Sequence, residues 1–138
     1  MDSDWAKNLA ERKKRELEVK RLQQEKDLND RKLLDASADK MWVEVRRAAA
    51  GFCKELNSSM GDDYIKFEGA SYHNSFTLIT PENTDTVTFN PQMWLLSAQG
   101  SAYTLVVTEA HAVIWKPAEG ATLTSEAVAQ HIVGAAFR

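Results

Sequence analysis

No glycine occurs before Gly51 and no proline before Pro81. These are the strongest interrupters of a helix, glycine through backbone entropy and proline through its missing N–H and its clash with the preceding turn. Their absence over so long a stretch constrains the fold more than any other feature of the chain. Asp4 or Ser3 can accept hydrogen bonds from the first free backbone N–H groups, and Asn57-Ser58-Ser59-Met60-Gly61 supplies a stop. The expectation is one helix from about Asp4 to about Asn57. At about 1.5 Å per residue it would be some 80 Å long, against about 30 Å for a compact domain of ~100 residues. Part of it must therefore project or fold back. Poorer helix formers cluster near Asn29-Asp30 and Asp35-Ala36-Ser37, but neither is a strong break, so a continuous helix is expected.

The two halves of this helix differ in what they can bury. Leu34, Ala38, Met41, Val45, Ala48, Phe52 and Leu56 recur at gaps of three and four, with Trp42 and Ala49 widening the same face. That half is expected to pack on a domain. In the front half, steps of three and four from Trp5 pass through Leu9, Arg12, Glu16, Val19, Leu22, Lys26, Asn29 and Leu33. The apolar members form a narrow seam, interrupted mostly by long side chains that can snorkel or pair.

After Gly61 the texture changes to short alternating runs separated by turn residues. Tyr64–Glu68, Ser75–Thr80, Thr86–Asn90 and Met93–Ser97 read as strands, and Ala102–Lys116 as two more with a break near Glu109-Ala110. Pro81-Glu82-Asn83-Thr84-Asp85 reads as a hairpin loop. The links are too short for crossover helices, which predicts an antiparallel meander of five or six strands. Thr124 then looks like an N-cap, with Leu123 and Val128 placed as a hydrophobic staple. Val128, Ile132 and Ala135 or Ala136 supply the buried stripe of a short closing helix. The expected fold is α+β: a long N-terminal helix, the meander, and a short C-terminal helix, both helices covering one face of the sheet. The expected division is an arm, residues 1–33, and a head, residues 34–138, with strands over about 64–116 and the last helix over about 124–137.

Charge is divided in the same way. Residues 1–32 hold ten Lys and Arg against eight Asp and Glu, and the remainder holds seven against twelve. Acidic residues interleave with the basic ones throughout the front, which argues against nucleic acid as a partner. No basic side chain other than histidine lies in residues 67–115, so the sheet is a poor phosphate binder. Cys53 is the only cysteine and falls in a helical pattern as a small buried hydrophobe. No run approaches a membrane span and no apolar leader follows Met1, so a cytoplasmic location without membrane association is expected.

Few residues suggest chemistry. His73, Glu109, His111 and Trp115 are the candidate ligand-binding set, because two histidines and a carboxylate brought together by strand pairing could act as an acid–base or metal group. No HExxH, CxxC, GxSxG or phosphate-loop pattern occurs. No catalytic residue, metal or cofactor is therefore assigned, and the pattern points away from an enzyme.

The arm raises the more pressing question of what covers its seam. Glu11–Arg15, Glu16–Lys20 and Asp27–Arg31 are i, i+4 pairs with the acid first, each contributing about 0.2–0.5 kcal/mol to a helix. Arg12–Glu16, Lys14–Glu18 and Arg21–Glu25 are the weaker reversed pairs. A covered Leu or Val contributes about 1.5–3 kcal/mol, so association outweighs these pairs. The first expectation is a non-enzymatic assembly or adaptor protein, a homo-oligomer or the partner of another helix through residues 5–33, with Trp5, Leu9, Val19, Leu22 and Leu33 as the contact residues and the head presented for protein binding. The alternative is a small-ligand-binding or enzymatic head with a pocket near His73, Glu109 and His111, dimerised by the arm.

Overall fold

A computed structural model of the chain describes residues 3–69 and 74–137. Helix α1 spans Ser3–Met60, and the strands follow as β1 (Lys66–Glu68), β2 (Ser75–Ile79), β3 (Thr84–Asn90), β4 (Leu95–Ala98), β5 (Ser101–Val107) and β6 (Val113–Pro117), before helix α2 (Ser125–Ala135). The strands form one sheet in the order β1-β2-β3-β4-β5-β6, every neighbour antiparallel. The α+β architecture is thus a long helix, a six-stranded meander and a short helix. The chain divides into two units, Met1–Lys32 and Leu33–Arg138.

α1 has no break at Asn29-Asp30 or Asp35–Ser37 and continues past Asn57 to Met60. Its end is set by Gly61, whose φ of +74° is costly for any residue with a side chain. Gly61 N–H donates to the Ser58 carbonyl and Asp62 N–H to that of Asn57, the paired bonds of a glycine-terminated helix. The Asn57 carbonyl thus serves the expected stop, and its side chain has a second task. Its Oδ1 accepts from the backbone N–H groups of Tyr64 (2.8 Å) and Ile65 (2.9 Å), and its Nδ2 donates to the Ile65 carbonyl (2.9 Å). With those groups engaged by a side chain, β1 begins at Lys66 rather than Tyr64.

Register sorts the sheet into two faces. Phe76 lies opposite Val87, Phe89 opposite Leu96, Leu96 opposite Tyr103, and Leu105 opposite Trp115. All of these are buried. The other face carries Thr77, Thr86, Thr88, Ser97 and Thr104, and the Thr77 and Thr86 hydroxyls lie 3.4 Å apart across strands. The β2–β3 link is tighter than expected. Thr80 and Asn83 exchange backbone bonds around Pro81-Glu82, so Thr84 and Asp85 belong to β3. Asp85 is buried, and its Oδ1 accepts from the Gln99 N–H in the β4–β5 turn at 3.1 Å.

Within the second unit, the buried residues of α1 are Leu34, Ala38, Trp42, Val45, Ala49 and Cys53, whereas Met41, Ala48, Phe52 and Leu56 are only partly buried. The face is thus turned relative to the seven residues picked out by spacing, toward Trp42 and Ala49. The reason is aromatic packing: the Trp42 ring stacks on Phe76 (5.5 Å between centroids) and on Phe89 (5.4 Å). Phe89 meets Trp115 edge-on at 5.8 Å, and Phe67 stacks on Phe76 at 4.9 Å. Offset stacking and edge contacts of this kind add about 0.5–1.5 kcal/mol per pair beyond area burial.

α2 starts as its sequence indicates: the Thr124 side chain accepts from the Ala127 N–H at 3.2 Å. Val128, Ala129, Ile132, Val133 and Ala136 are buried. A polar relay ties the three layers. Trp115 Nε1 donates to Ser125 Oγ (3.0 Å), which donates to Glu44 Oε1 on α1 (3.2 Å). A fully buried indole N–H without a partner would cost about 1–3 kcal/mol.

Candidate functional site

The arm is built from exposed positions. Trp5 is 70% exposed, Val19 67% and Leu22 52%, while Leu9 and Leu33 are partly covered. Leu17 (65%) and Leu28 (54%) are exposed as well, and the seam traced from Trp5 does not include them. They stand eleven residues apart, close to three full helical turns, and so share a line on another face. Steps of three and four started at Leu17 reach Leu28 through Arg21 and Gln24, whereas those started at Trp5 pass both by.

The charged residues pair along the helix rather than across it. Arg15 and Glu11 approach to 3.9 Å, and Lys13 and Glu16 to 3.5 Å. Arg21 joins Glu18 on one side (Nε to Oε2 3.2 Å) and Glu25 on the other (Nη1 to Oε1 2.7 Å), while Asp27 accepts from Gln23 Nε2 at 3.0 Å. Hydrogen bonding from Arg21, and then its charge, hold the Glu18 carboxyl below its ordinary pKa; Glu18 in turn raises that of Arg21. Among the described residues Arg12 makes no ion pair.

The candidate ligand set is dispersed. His73 lies outside the described residues. Glu109 and His111 are exposed in the β5–β6 turn rather than sharing the face of a strand. Thr108 N–H donates to the Ala112 carbonyl, His111 N–H to that of Thr108, and Ala112 N–H to Thr108 Oγ1. His111 has φ +60° there, a conformation histidine tolerates better than most residues. Trp115 is fully buried in the core, against Phe89 and Ser125. Glu109, His111 and Trp115 therefore do not converge. Among the described residues no three His, Cys, Asp or Glu side chains are placed to hold a metal ion. An open concavity of about 900 Å³ borders the β4–β5 turn, the loop before α2 and His131. Its lining includes the small residues Ala98, Gly100, Ala118 and Gly120 together with Tyr103, Glu119 and His131, and none of the candidate ligand residues.

Trp94 is the second non-glycine residue in the left-handed region, at φ +52°. That is strained for a bulky side chain. Three contacts hold the segment: Trp94 Nε1 donates to Asp35 Oδ1 (2.9 Å), its carbonyl accepts from Leu105 N–H, and Asn90 Oδ1 accepts from the N–H groups of Gln92 and Met93. Spacing along the sequence contains no trace of a bond between residues 59 positions apart.

Compared with known proteins, the chain matches no family model, and no curated protein and no solved structure shows significant similarity to it. No helix among the described residues is long and apolar enough to cross a membrane.

Proposed function

We propose that the protein is a non-enzymatic assembly protein of the cytoplasm that forms a homodimer through a coiled coil of residues 5–33, with the α+β head acting as an adaptor surface for protein binding. The observation that carries this reading is the exposure of Trp5, Val19 and Leu22 along one line of a helix segment whose other residues, Leu17 and Leu28 apart, are mostly charged or polar. An exposed pair such as Glu11–Arg15 contributes about 0.2–0.5 kcal/mol to helix formation, whereas covering one Leu or Val contributes about 1.5–3 kcal/mol. Burial against another helix therefore outweighs the pairing of charges along one.

The sheet edges support the same route. Strand β1 has three residues and carries Lys66 and Glu68, and charged, short edges resist strand addition. At the other edge Trp115 exchanges both backbone hydrogen bonds with Leu123, and Pro117 has no N–H to donate. Helix pairing is the remaining economical mode of association.

Sedimentation equilibrium of the full chain and of the V19D/L22D variant tests the proposal. A dimer that becomes a monomer, with near-ultraviolet circular dichroism of the head unchanged, is the expected result. A variant that stays dimeric, or a native chain that is monomeric at every concentration, would remove self-association through the arm.

A further inference from the structure

Resting on the proposal of a self-associating arm, we infer that the two arms run antiparallel, in a register centred on Lys14 that pairs Arg12 of each copy with Glu16 of the other. The polar members of the seam decide the orientation. In a parallel, in-register pair each layer would meet itself, stacking Arg12 on Arg12, Glu16 on Glu16 and Lys26 on Lys26. Like charges facing each other in a covered layer oppose association and select against that arrangement. Reversal about Lys14 replaces the clash with attraction. Arg12 and Glu16 are equidistant from Lys14, so each meets the opposite charge on the second copy. Leu9 and Val19 are also equidistant from it, so an apolar layer flanks the charged ones on both sides. The small Ala6 falls opposite Leu22, and Trp5 lies over the long, flexible Gln23.

The side chains are available for this. Val19 and Trp5 are exposed, and Arg12 has no ion-pair partner among the described residues. Lys13 and Arg15, which approach their own copies near the dyad, already carry counter-charges in Glu16 and Glu11 of the same helix. A guanidinium can engage a carboxylate oxygen that Lys13 leaves unused. A second antiparallel register, centred on Val19, would bring all nine seam positions into contact. It would pair Trp5 with Leu33 but set Arg12 against Lys26, Leu9 against Asn29 and Glu16 against Leu22, and so loses on charge, whereas the register about Lys14 concentrates the contact in residues 5–23 and leaves Asn29 and Leu33 beyond the overlap.

Cysteine cross-linking in the full chain tests orientation and register together, since the native Cys53 is buried and does not compete. Leu9→Cys and Val19→Cys chains are oxidised separately and mixed. Disulfide between the two variants, without self-disulfide of either, is expected. Self-disulfide of Leu9→Cys, of Val19→Cys, or of both would overturn this register while leaving self-association intact. No disulfide in any mixture overturns the proposal as well, and the sedimentation mass then says whether self-association fails with it. Charge exchange gives an independent reading: Arg12→Glu and Glu16→Arg should each weaken dimerisation about tenfold or more, and R12E/E16R should restore it. A double variant no tighter than the singles would contradict the pairing.

Discussion

The two halves of α1 adopt the same backbone for different physical reasons. From Leu34 to Cys53 the helix is held by what it buries: Trp42 is 2% exposed and Val45 and Ala49 are fully covered. From Asp4 to Lys32 charge pairs lie along its surface, where Glu11–Arg15, Lys13–Glu16 and the Glu18–Arg21–Glu25 cluster join neighbouring turns. Secondary structure alone therefore says little about a helix's role. A helix with a covered stripe belongs to a core, and under the function proposed above one with an uncovered stripe is completed by a second helix.

Replacing the tryptophan of each half should separate the two most sharply. Trp42→Ala removes a ring stacked on both Phe76 and Phe89 and should cost the head about 3–5 kcal/mol in urea unfolding. Trp5→Ala, at an exposed position, should leave the unfolding midpoint of the head unchanged and weaken self-association instead. A comparable loss of head stability in both variants would erase the distinction.

A smaller contrast comes from pH, which should act on the two halves at opposite ends of the scale. Burial pushes the Cys53 thiol from 9.0 to about 11. Because the folded state holds that proton more tightly, the contribution of Cys53 is complete below about pH 9 and is lost as pH rises toward 11, roughly 1 kcal/mol by pH 10. Cys53→Ala should flatten this part of the alkaline stability profile, and a profile of unchanged slope would count against the assignment. The smallest effect belongs to the arm. Arg21 lowers the Glu18 pKa below 4.5, so the helix-stabilising contribution of Glu18 is full above 4.5 and disappears as pH falls through the lowered value. Far-ultraviolet ellipticity should drop slightly over that acid range, and the drop should shrink in Arg21→Ala. An equal drop in both proteins would show that other carboxylates account for it.

Much of the fold is legible in local sequence because it depends on local chemistry. Gly61 ends α1 through its backbone conformation, Thr124 opens α2 through a bond to Ala127, and alternation in Phe76-Thr77-Leu78 and in Val87-Thr88-Phe89 reports which side of the sheet is covered. Boundaries slipped where a distant or competing partner intervened. β1 is shortened because Asn57 takes the backbone groups of Tyr64 and Ile65, and β3 is lengthened because Thr80 and Asn83 close a tighter turn. The candidate ligand residues illustrate the same limit. A two-residue interval puts Glu109 and His111 on one face only within a strand, and the bonds among Thr108, His111 and Ala112 make that segment a turn.

Helix, meander and closing helix follow from glycine and proline placement, periodicity and caps, all of which act within a few residues. Which residue stands at the centre of the α1 face, which tryptophan strains its backbone to reach Asp35, and which serine joins Trp115 to Glu44 follow from long-range packing. Side-chain spacing narrows the buried face of a helix to a sector. Only the rings and hydrogen-bonding groups that meet it in space select the orientation within that sector, because close packing and buried polar bonds tolerate errors of a fraction of a turn far less than hydrophobic periodicity does.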